Sequence, residues 1–159
     1  VAGVEVSRRF PHTVVITVQE REPQGFVVQN GKYNLVDREG VVLEGIEERP
    51  PGMVEIKGLS TSLLYPGKTI AGEDFAGVSK LLQSLPPDLA AAAVAAGYDQ
   101  AEGLYLESGG TRIIYGHDSE LERKNLIAAM TLKELAGRYA AIEYIDVSFP
   151  DHPVIKPAP

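Results

Sequence analysis

Two segments of alternating apolar and polar residues open the chain and predict a β hairpin with one apolar face. Val4 and Val6 lie on one face of the first segment, and Val14, Ile16 and Val18 lie on one face of the second. This period of two is typical of strands. A proline in the intervening turn excludes a continuous helix. Because an isolated hairpin is marginally stable in water, we expect later residues, or a segment before this chain, to cover the apolar face.

The next stretch, residues 25–43, predicts a three-stranded meander. Asn30-Gly31 is a strong hairpin signal because both residues tolerate a positive φ, and Asp37-Arg38-Glu39-Gly40 supplies a second turn. Residues 45–72 are rich in proline and glycine and predict a surface loop. Within that loop, Met53–Ile56 is predicted to form one short strand.

After residue 72 the apolar period becomes helical. A first helix is predicted from Glu73 to the residue before Pro86, with an apolar face formed by Phe75, Val78, Leu81, Leu82 and Leu85. Ser119-Glu120-Leu121-Glu122 fits the capping-box pattern and predicts a second helix that reaches about Tyr139 and frays at Gly137. Its apolar face would be formed by Leu121, Ala128, Leu132, Leu135 and Tyr139.

Between the two helices the pattern leaves one segment open. Leu89–Ala96 is rich in alanine, and intrinsic propensity favours a helix there. The hairpin that follows is clear, with strands predicted at Gly103–Glu107 and Thr111–Gly116 around a Ser-Gly-Gly turn. A strand within Val94–Gln100 would extend that hairpin into the same sheet.

The chain returns to strand patterns in its last twenty residues. Ala141–Phe149 and Val154–Lys156 are predicted strands, separated by Pro150-Asp151-His152-Pro153. A short final strand at a sheet edge has unpaired backbone N–H and C=O groups and can recruit a partner strand. The surrounding prolines are equally suited to protect such an edge from aggregation. The residues alone leave both alternatives open.

Composition excludes several classes of protein. The chain has 159 residues, is 44% hydrophobic and 23% charged, and carries a net charge of −7 with no cysteine. An acidic chain with no basic cluster larger than Arg8-Arg9 is not expected to bind nucleic acid. The absence of cysteine excludes disulfides and thiolate metal sites. No apolar run approaches the roughly 18 residues of a membrane span, so we expect this chain to be soluble and any anchor to lie upstream of Val1.

Candidate catalytic and metal-binding groups are sparse. Ser119, His117 and Asp118 contain the residue types of a catalytic triad, but sequence neighbours seldom provide its geometry. The pairs His117-Asp118 and His152-Asp151 lack the spacing of a metal site. The carboxylates Glu44, Glu47 and Glu48 imitate the acid and base of a glycosidase but fit a solvated loop better. We therefore predict no catalytic residue, no cofactor and no metal site.

Several short motifs, taken in order, resemble those of a known family. The first runs through the opening hairpin and comprises Val4, Val6, Arg8, Pro11, Ile16, Val18, Glu20, Arg21 and Pro23. The later ones are Leu35-Val36-Asp37 with Gly40, Ile56 with Gly58, Tyr115-Gly116 with Lys124, and Ile145-Asp146-Val147. Together they resemble the extracytoplasmic part of the FtsQ/DivIB family of bacterial cell-division proteins.

The resemblance implies an α+β fold with a mixed or antiparallel β-sheet and two helices on one face, preceded by a hairpin from a truncated POTRA domain. Residues 1–23 would be the end of that POTRA domain, whose first strand and two helices would precede Val1, and residues 24–159 would be the family's β domain. The full-length protein would be bitopic, anchored in the inner membrane by one upstream helix and placed at the division septum on the extracytoplasmic face.

The resemblance further implies a non-enzymatic scaffold that binds the FtsB–FtsL pair by strand addition at the C-terminal strands. The implied contact residues are Tyr144, Ile145, Asp146, Val147, Ser148, Phe149, Val154, Ile155 and Lys156. A recruitment surface for other septal proteins would include Val6, Arg8 and Arg9. Ser148 stands where the family often has a basic residue, so the resemblance does not carry an ionic contact to that position.

Two other functions fit parts of the pattern. A POTRA-type module of an outer-membrane assembly or secretion protein would share the opening hairpin. A cell-wall hydrolase would use Glu48 or His117 as its catalytic group.

Overall fold

The computed structural model describes residues 1–136 and 141–158, which form eleven strands and three helices. The strands are β1 Gly3–Arg9, β2 Thr13–Gln19, β3 Pro23–Gln29, β4 Lys32–Asp37, β5 Val42–Ile46, β6 Val54–Lys57, β7 Ala93–Asp99, β8 Gly103–Ser108, β9 Thr111–Gly116, β10 Ile142–Asp146 and β11 Val154–Pro157. The helices are α1 Glu73–Ser84, α2 Pro87–Ala92 and α3 Leu121–Leu135.

Nine of the strands form one sheet in the order β11-β10-β9-β8-β7-β6-β3-β4-β5. Neighbouring strands are antiparallel except for three parallel pairs, β3 with β6, β6 with β7 and β9 with β10. The mixed sheet predicted above is confirmed, as are the meander, here β3–β5, and the hairpin β8–β9. The strands that end the chain therefore form one border of the sheet.

Helices α1 and α3 pack on one face of this sheet, as predicted. Phe75, Val78 and Leu81 of α1 are buried, as are Ala128 and Leu135 of α3. Except for Leu135, they belong to one hydrophobic cluster that includes side chains from eight of the strands. Burial of apolar surface stabilises such a cluster by roughly 25 cal/mol per Å². The layer between the helices and the sheet contains most of the buried apolar side chains.

The alanine-rich segment is only partly helical, so the propensity-based prediction for Leu89–Ala96 was wrong in its second half. The helix ends at Ala92, and β7 continues as a central strand between β6 and β8. The alternative of a strand in this region is confirmed. Tertiary packing explains the exception: Ala95 and Ala96 are fully buried, and a Cβ at Gly97 would lie 2.7 Å from the hydroxyl of Tyr105. Only small residues fit here.

The capping box predicted at Ser119 does not form. Helix α3 begins at Leu121, its N-cap residue Glu120 has a left-handed backbone (φ 53°), and no side chain caps the first turn. The Glu120 carboxylate instead accepts a hydrogen bond from Arg123 at 3.2 Å. The helix ends at Leu135, and the predicted fraying end at Gly137 and Tyr139 lies outside the described residues.

None of the three described helices lies on the opposite face of the sheet, which is covered by its own charged side chains. Phe26, Tyr105 and Ile114 are buried on this face and alternate along their strands with members of the core cluster. The guanidinium of Arg112 lies 3.6 Å from the Tyr105 ring centroid and 2.8 Å from the Glu102 carboxylate. Charged side chains that lie flat in this way shield the apolar groups below them.

Strands β1 and β2 form a separate two-stranded sheet. Their register places the apolar residues on one face together with Arg8, and all of them are at least half exposed: Val4, Val6, Val14, Ile16 and Val18. Arg21 connects this hairpin to the large sheet, because its guanidinium bonds to the Val1 carbonyl at 3.2 Å and to the carboxylates of Asp37 and Glu39. Assignment of residues 1–23 to a preceding domain stays a prediction.

Candidate partner-binding edge

The two borders of the large sheet differ in how they are protected. Strand β5 is covered at its start by the loop that follows β6, since Val42 exchanges 2.8 Å backbone bonds with Lys68 and Gly67. The rest of this border carries the exposed carboxylates of Glu44, Glu47 and Glu48. Covered backbone and like charges are common devices against pairing with another strand.

The other border, β11, has neither protection. Within residues 1–136 and 141–158 it pairs only with β10, and all four of its residues are exposed. Val154 and Ile155 present apolar side chains that are 53% and 39% exposed. An open border with apolar side chains and no carboxylate is suited to adding a strand.

The backbone of β11 has one donor available to such a strand. The Ala158 N–H points toward β10, where it bonds to the Ala141 carbonyl at 3.1 Å. Successive N–H groups of an antiparallel strand alternate in direction, so Lys156 and Val154 also donate toward β10, and positions 153, 155 and 157 face outward. Positions 153 and 157 are prolines without an N–H. Ile155 is therefore the single outward donor between them.

Strand β10 lies behind this border, and part of the predicted contact set is inaccessible. Ile145 and Val147 are fully buried. Ile145 pairs with Ile113 and Ile155, and the Val147 N–H donates to the Ile114 carbonyl at 2.8 Å. These two side chains fill the core and have no surface for a partner. The surface available to a partner is thus narrower than the sequence-based set.

Tyr144 and Lys156 lie side by side on the helix-free face. They are cross-strand partners, and the Lys156 ammonium is 5.7 Å from the Tyr144 ring centroid. A bulge in β10 at Glu143 lets the Glu143 carboxylate accept a 2.9 Å bond from Lys156. This bond raises the pKa of Lys156 above its usual value. The end of the border therefore carries a paired charge beside an aromatic ring.

The loop between β10 and β11 presents Phe149, which is 74% exposed. Asp146 shapes the start of the loop by accepting a 2.8 Å bond from the Ser148 N–H. The His152 N–H closes it through a 2.9 Å bond to the Phe149 carbonyl. Arg123 of α3 forms an ion pair with Asp151. We call the loop 147–153 together with β11 the partner edge.

Comparison with known proteins gives the family. The model of the FtsQ/DivIB C-terminal region of cell-division proteins matches residues 25–148. This chain belongs to the FtsQ/DivIB family. The match ends at Ser148 and so covers β10 but not β11.

Relatives of the FtsQ/DivIB chain are cell-division proteins from distant bacteria. FtsQ of Streptomyces bingchenggensis is 28% identical over 98% of this chain and 57% of its own length. FtsQ of Neisseria gonorrhoeae is 26% identical over 100% of this chain and 61% of its own length. DivIB of Clostridium tetani is 25% identical over 98% and 61%. The chain thus spans less than two thirds of the length of these relatives.

A solved structure shares the fold of this FtsQ/DivIB chain. The major extracytoplasmic domain of DivIB from Geobacillus stearothermophilus, in its trans isomer, matches with a TM-score of 0.51 and 14% identity. The alignment covers 75% of this chain and 97% of that domain. At this identity the likeness supports the α+β architecture alone.

The predicted recruitment residues lie on the hairpin, away from the partner edge. Val6 and Arg8 share the exposed apolar face, whereas Arg9 pairs with Thr13 on the other face. The three residues therefore do not form one surface of the FtsQ/DivIB chain. Their role in recruitment stays a prediction.

The residues considered for catalysis are not brought together. Asp118 bonds to Lys80 at 2.7 Å, and this bond holds the pKa of Asp118 below its usual value. Glu48 follows β5 and His117 follows β9, six strands apart in the sheet. Within residues 1–136 and 141–158, no three His, Asp or Glu side chains are grouped to hold a metal ion. No helix of that part is long and apolar enough to cross a membrane.

Sequence reasoning gave no site role to two basic residues at the start of α3, although Lys124 was part of one family motif. Arg123 bonds to the loop directly, and Lys124 is buried beneath the end of β9. A usable signal was present for Lys124, because it lies three residues after Leu121 and four before Ala128, on the predicted buried face. A lysine at such a position is almost never fully buried unless its ammonium is bonded.

Proposed function

We propose that this FtsQ/DivIB chain is a non-enzymatic scaffold of the bacterial division machinery that binds an FtsB–FtsL-type pair at its partner edge. Binding occurs by addition of an extended segment of the partner to β11. The full-length protein is held at the septum, on the extracytoplasmic face of the inner membrane, by a helix upstream of this chain. Other septal proteins contact the POTRA part.

The open border at β11 carries this proposal. Main-chain hydrogen bonds supply affinity in strand addition, and side chains on alternate faces supply selectivity. Ile155 offers an outward N–H and C=O together with an apolar side chain on the helix-bearing face. Val154 and Lys156 lie on the other face. A partner strand in this register meets one apolar position on the first face, and an apolar and a basic position on the second.

The family assignment favours this function over the outer-membrane alternative, which rested on the opening hairpin alone. The hydrolase alternative requires a catalytic group assisted by a second one. The separation of Glu48 and His117 across the sheet argues against a joint role for them.

Truncation of the exposed aromatic of the loop tests the proposed surface. We expect Phe149→Ala to weaken binding of the cognate FtsB–FtsL extracytoplasmic segments about tenfold, since interface aromatics often contribute more than about 1 kcal/mol. Stability should hardly change because the ring is 74% exposed. Isothermal titration calorimetry with the purified segments measures the affinity.

The matched control for this variant is Leu63→Ala. Leu63 is 65% exposed in the loop beside β3 and β5, at the far side of the sheet. It should bind like the unmodified chain. If Phe149→Ala binds normally while Leu63→Ala does not, the partner surface lies at the opposite border and the proposal fails.

A further inference from the structure

Lys124 is a buried lysine that the proposed binding reaction does not use directly. It is only 1% exposed. Its ammonium donates to the backbone carbonyls of Tyr115 and His117, both at 2.9 Å. Burial lowers the pKa of Lys124, and the nearby carboxylates of Glu120, Asp118 and Asp146 oppose that shift. A charge buried at this cost is expected to hold a specific backbone geometry.

The carbonyls that Lys124 binds flank Gly116, the last residue of β9. Gly116 has a left-handed backbone (φ 67°) and lies between two other chain segments. A Cβ on Gly103 would overlap the Gly116 backbone, and a Cβ on Gly116 would lie 2.9 Å from the Ser148 hydroxyl. Lys124 therefore fixes the support against which Ser148 packs.

Ser148 is the residue at which the chain leaves β10 for the partner edge. The preceding Val147 is fully buried and bonds to the Ile114 carbonyl of β9. The following Phe149 is largely exposed. The position of the end of β9 thus determines the direction in which loop 147–153 leaves β10. It thereby also determines where the chain re-enters the sheet as β11.

We propose that Lys124 is a positioning residue for partner binding, which holds the end of β9 so that loop 147–153 and β11 keep the geometry that an added strand requires. This inference rests on the proposed function. Arg123, the residue before Lys124, forms an ion pair with Asp151 in the same loop. That ion pair is exposed and worth little, so the buried bonds of Lys124 supply most of the constraint.

Hydrogen exchange without a partner tests this role. In the chain with Lys124→Met, which keeps the length of the side chain and removes its donors, the bonded amides of Ser148, His152, Val154 and Lys156 should exchange about tenfold faster or more. Amides of β3, β4 and β6 should change less than about threefold. Lys133→Met, at an exposed position of the same helix, is the control and should leave both groups unchanged. Affinity for the FtsB–FtsL segments should fall about tenfold in Lys124→Met only.

A second variant keeps the test decisive if Lys124→Met does not fold. Gly116→Ala retains Lys124 but places a Cβ too close to the side chain of Ser148. Ser148→Gly removes the Ser148 side-chain atoms that this Cβ would contact. We expect Gly116→Ala to accelerate exchange at the partner edge, and Gly116→Ala with Ser148→Gly to restore part of the protection. The inference fails if, in the folded variants, amide exchange accelerates equally across the whole sheet. It also fails if exchange at the partner edge does not accelerate. If exchange accelerates only at the partner edge of the variants but the unmodified chain does not bind the FtsB–FtsL segments, the proposed function fails instead.

Discussion

Ile155→Pro weakens binding of the FtsB–FtsL segments by about a hundredfold. Proline removes the single outward N–H of β11 and places its ring where the partner carbonyl would sit. An unsatisfied buried acceptor costs about 1–3 kcal/mol, and the ring blocks close approach. The variant should still fold, because the Ile155 N–H makes no bond to β10 and proline is tolerated on an edge strand in that orientation. Calorimetry gives the affinity, and circular dichroism checks the fold.

Ile155→Val is the matched control, because it keeps the N–H and most of the apolar surface. It should bind within about fourfold of the unmodified chain, as expected for loss of one methylene at about 0.8 kcal/mol. If both variants bind equally well, backbone pairing at β11 contributes nothing and the partner is held by side chains elsewhere.

Gly58→Ala lowers the free energy of unfolding by about 3 kcal/mol or more. Gly58 follows β6 with φ 74°, and a Cβ there would overlap the backbone carbonyl of Tyr98 in β7. A left-handed backbone costs a residue with a side chain about 1–2 kcal/mol, and overpacking against backbone adds about 1–3 kcal/mol. Because β6 and β7 are central, the strain cannot be relieved at an edge. Urea denaturation measures the loss.

Gly52→Ala separates the two causes. Gly52 has a similar φ of 70° but nothing within 4 Å of an added Cβ, so only the backbone cost of about 1–2 kcal/mol remains. Equal destabilisation by the two variants would show that the contact with Tyr98 does not constrain the sheet.

Local patterns were enough to predict much of this fold. Asn30-Gly31 specified the β3–β4 hairpin, and the spacing of Phe75, Val78 and Leu81 specified α1. In each case the residues that form the element also carry the signal, through turn geometry or a buried face. Such elements need no knowledge of distant neighbours.

Elements that depend on distant neighbours were harder to predict. The sequence of β7 favours a helix because alanine is the best helix former. In the structure, its small side chains instead fit the buried space between β6 and β8. Likewise, Ser119 has the sequence of a capping box, but the left-handed backbone of Glu120 leaves the first turn of α3 without a side-chain cap. Neither outcome could be derived from local sequence preference alone.

The candidate site could be located from the sequence only in outline. The final strands were predicted as the contact region, but Ile145 and Ile155 look alike in sequence and differ in burial, 0% against 39%. The direction of the Ile155 N–H follows from its pairing with β10, which includes a bulge at Glu143. Register of this kind depends on the partner strand and cannot be derived from one segment alone.

The most direct measurement is hydrogen exchange at the Ile155 amide before and after addition of the FtsB–FtsL segments. We expect rapid exchange in the free chain, because this N–H faces outward from the sheet, and strong protection in the complex. Binding that protects other amides and leaves Ile155 exchanging as in the free chain would contradict strand addition at β11.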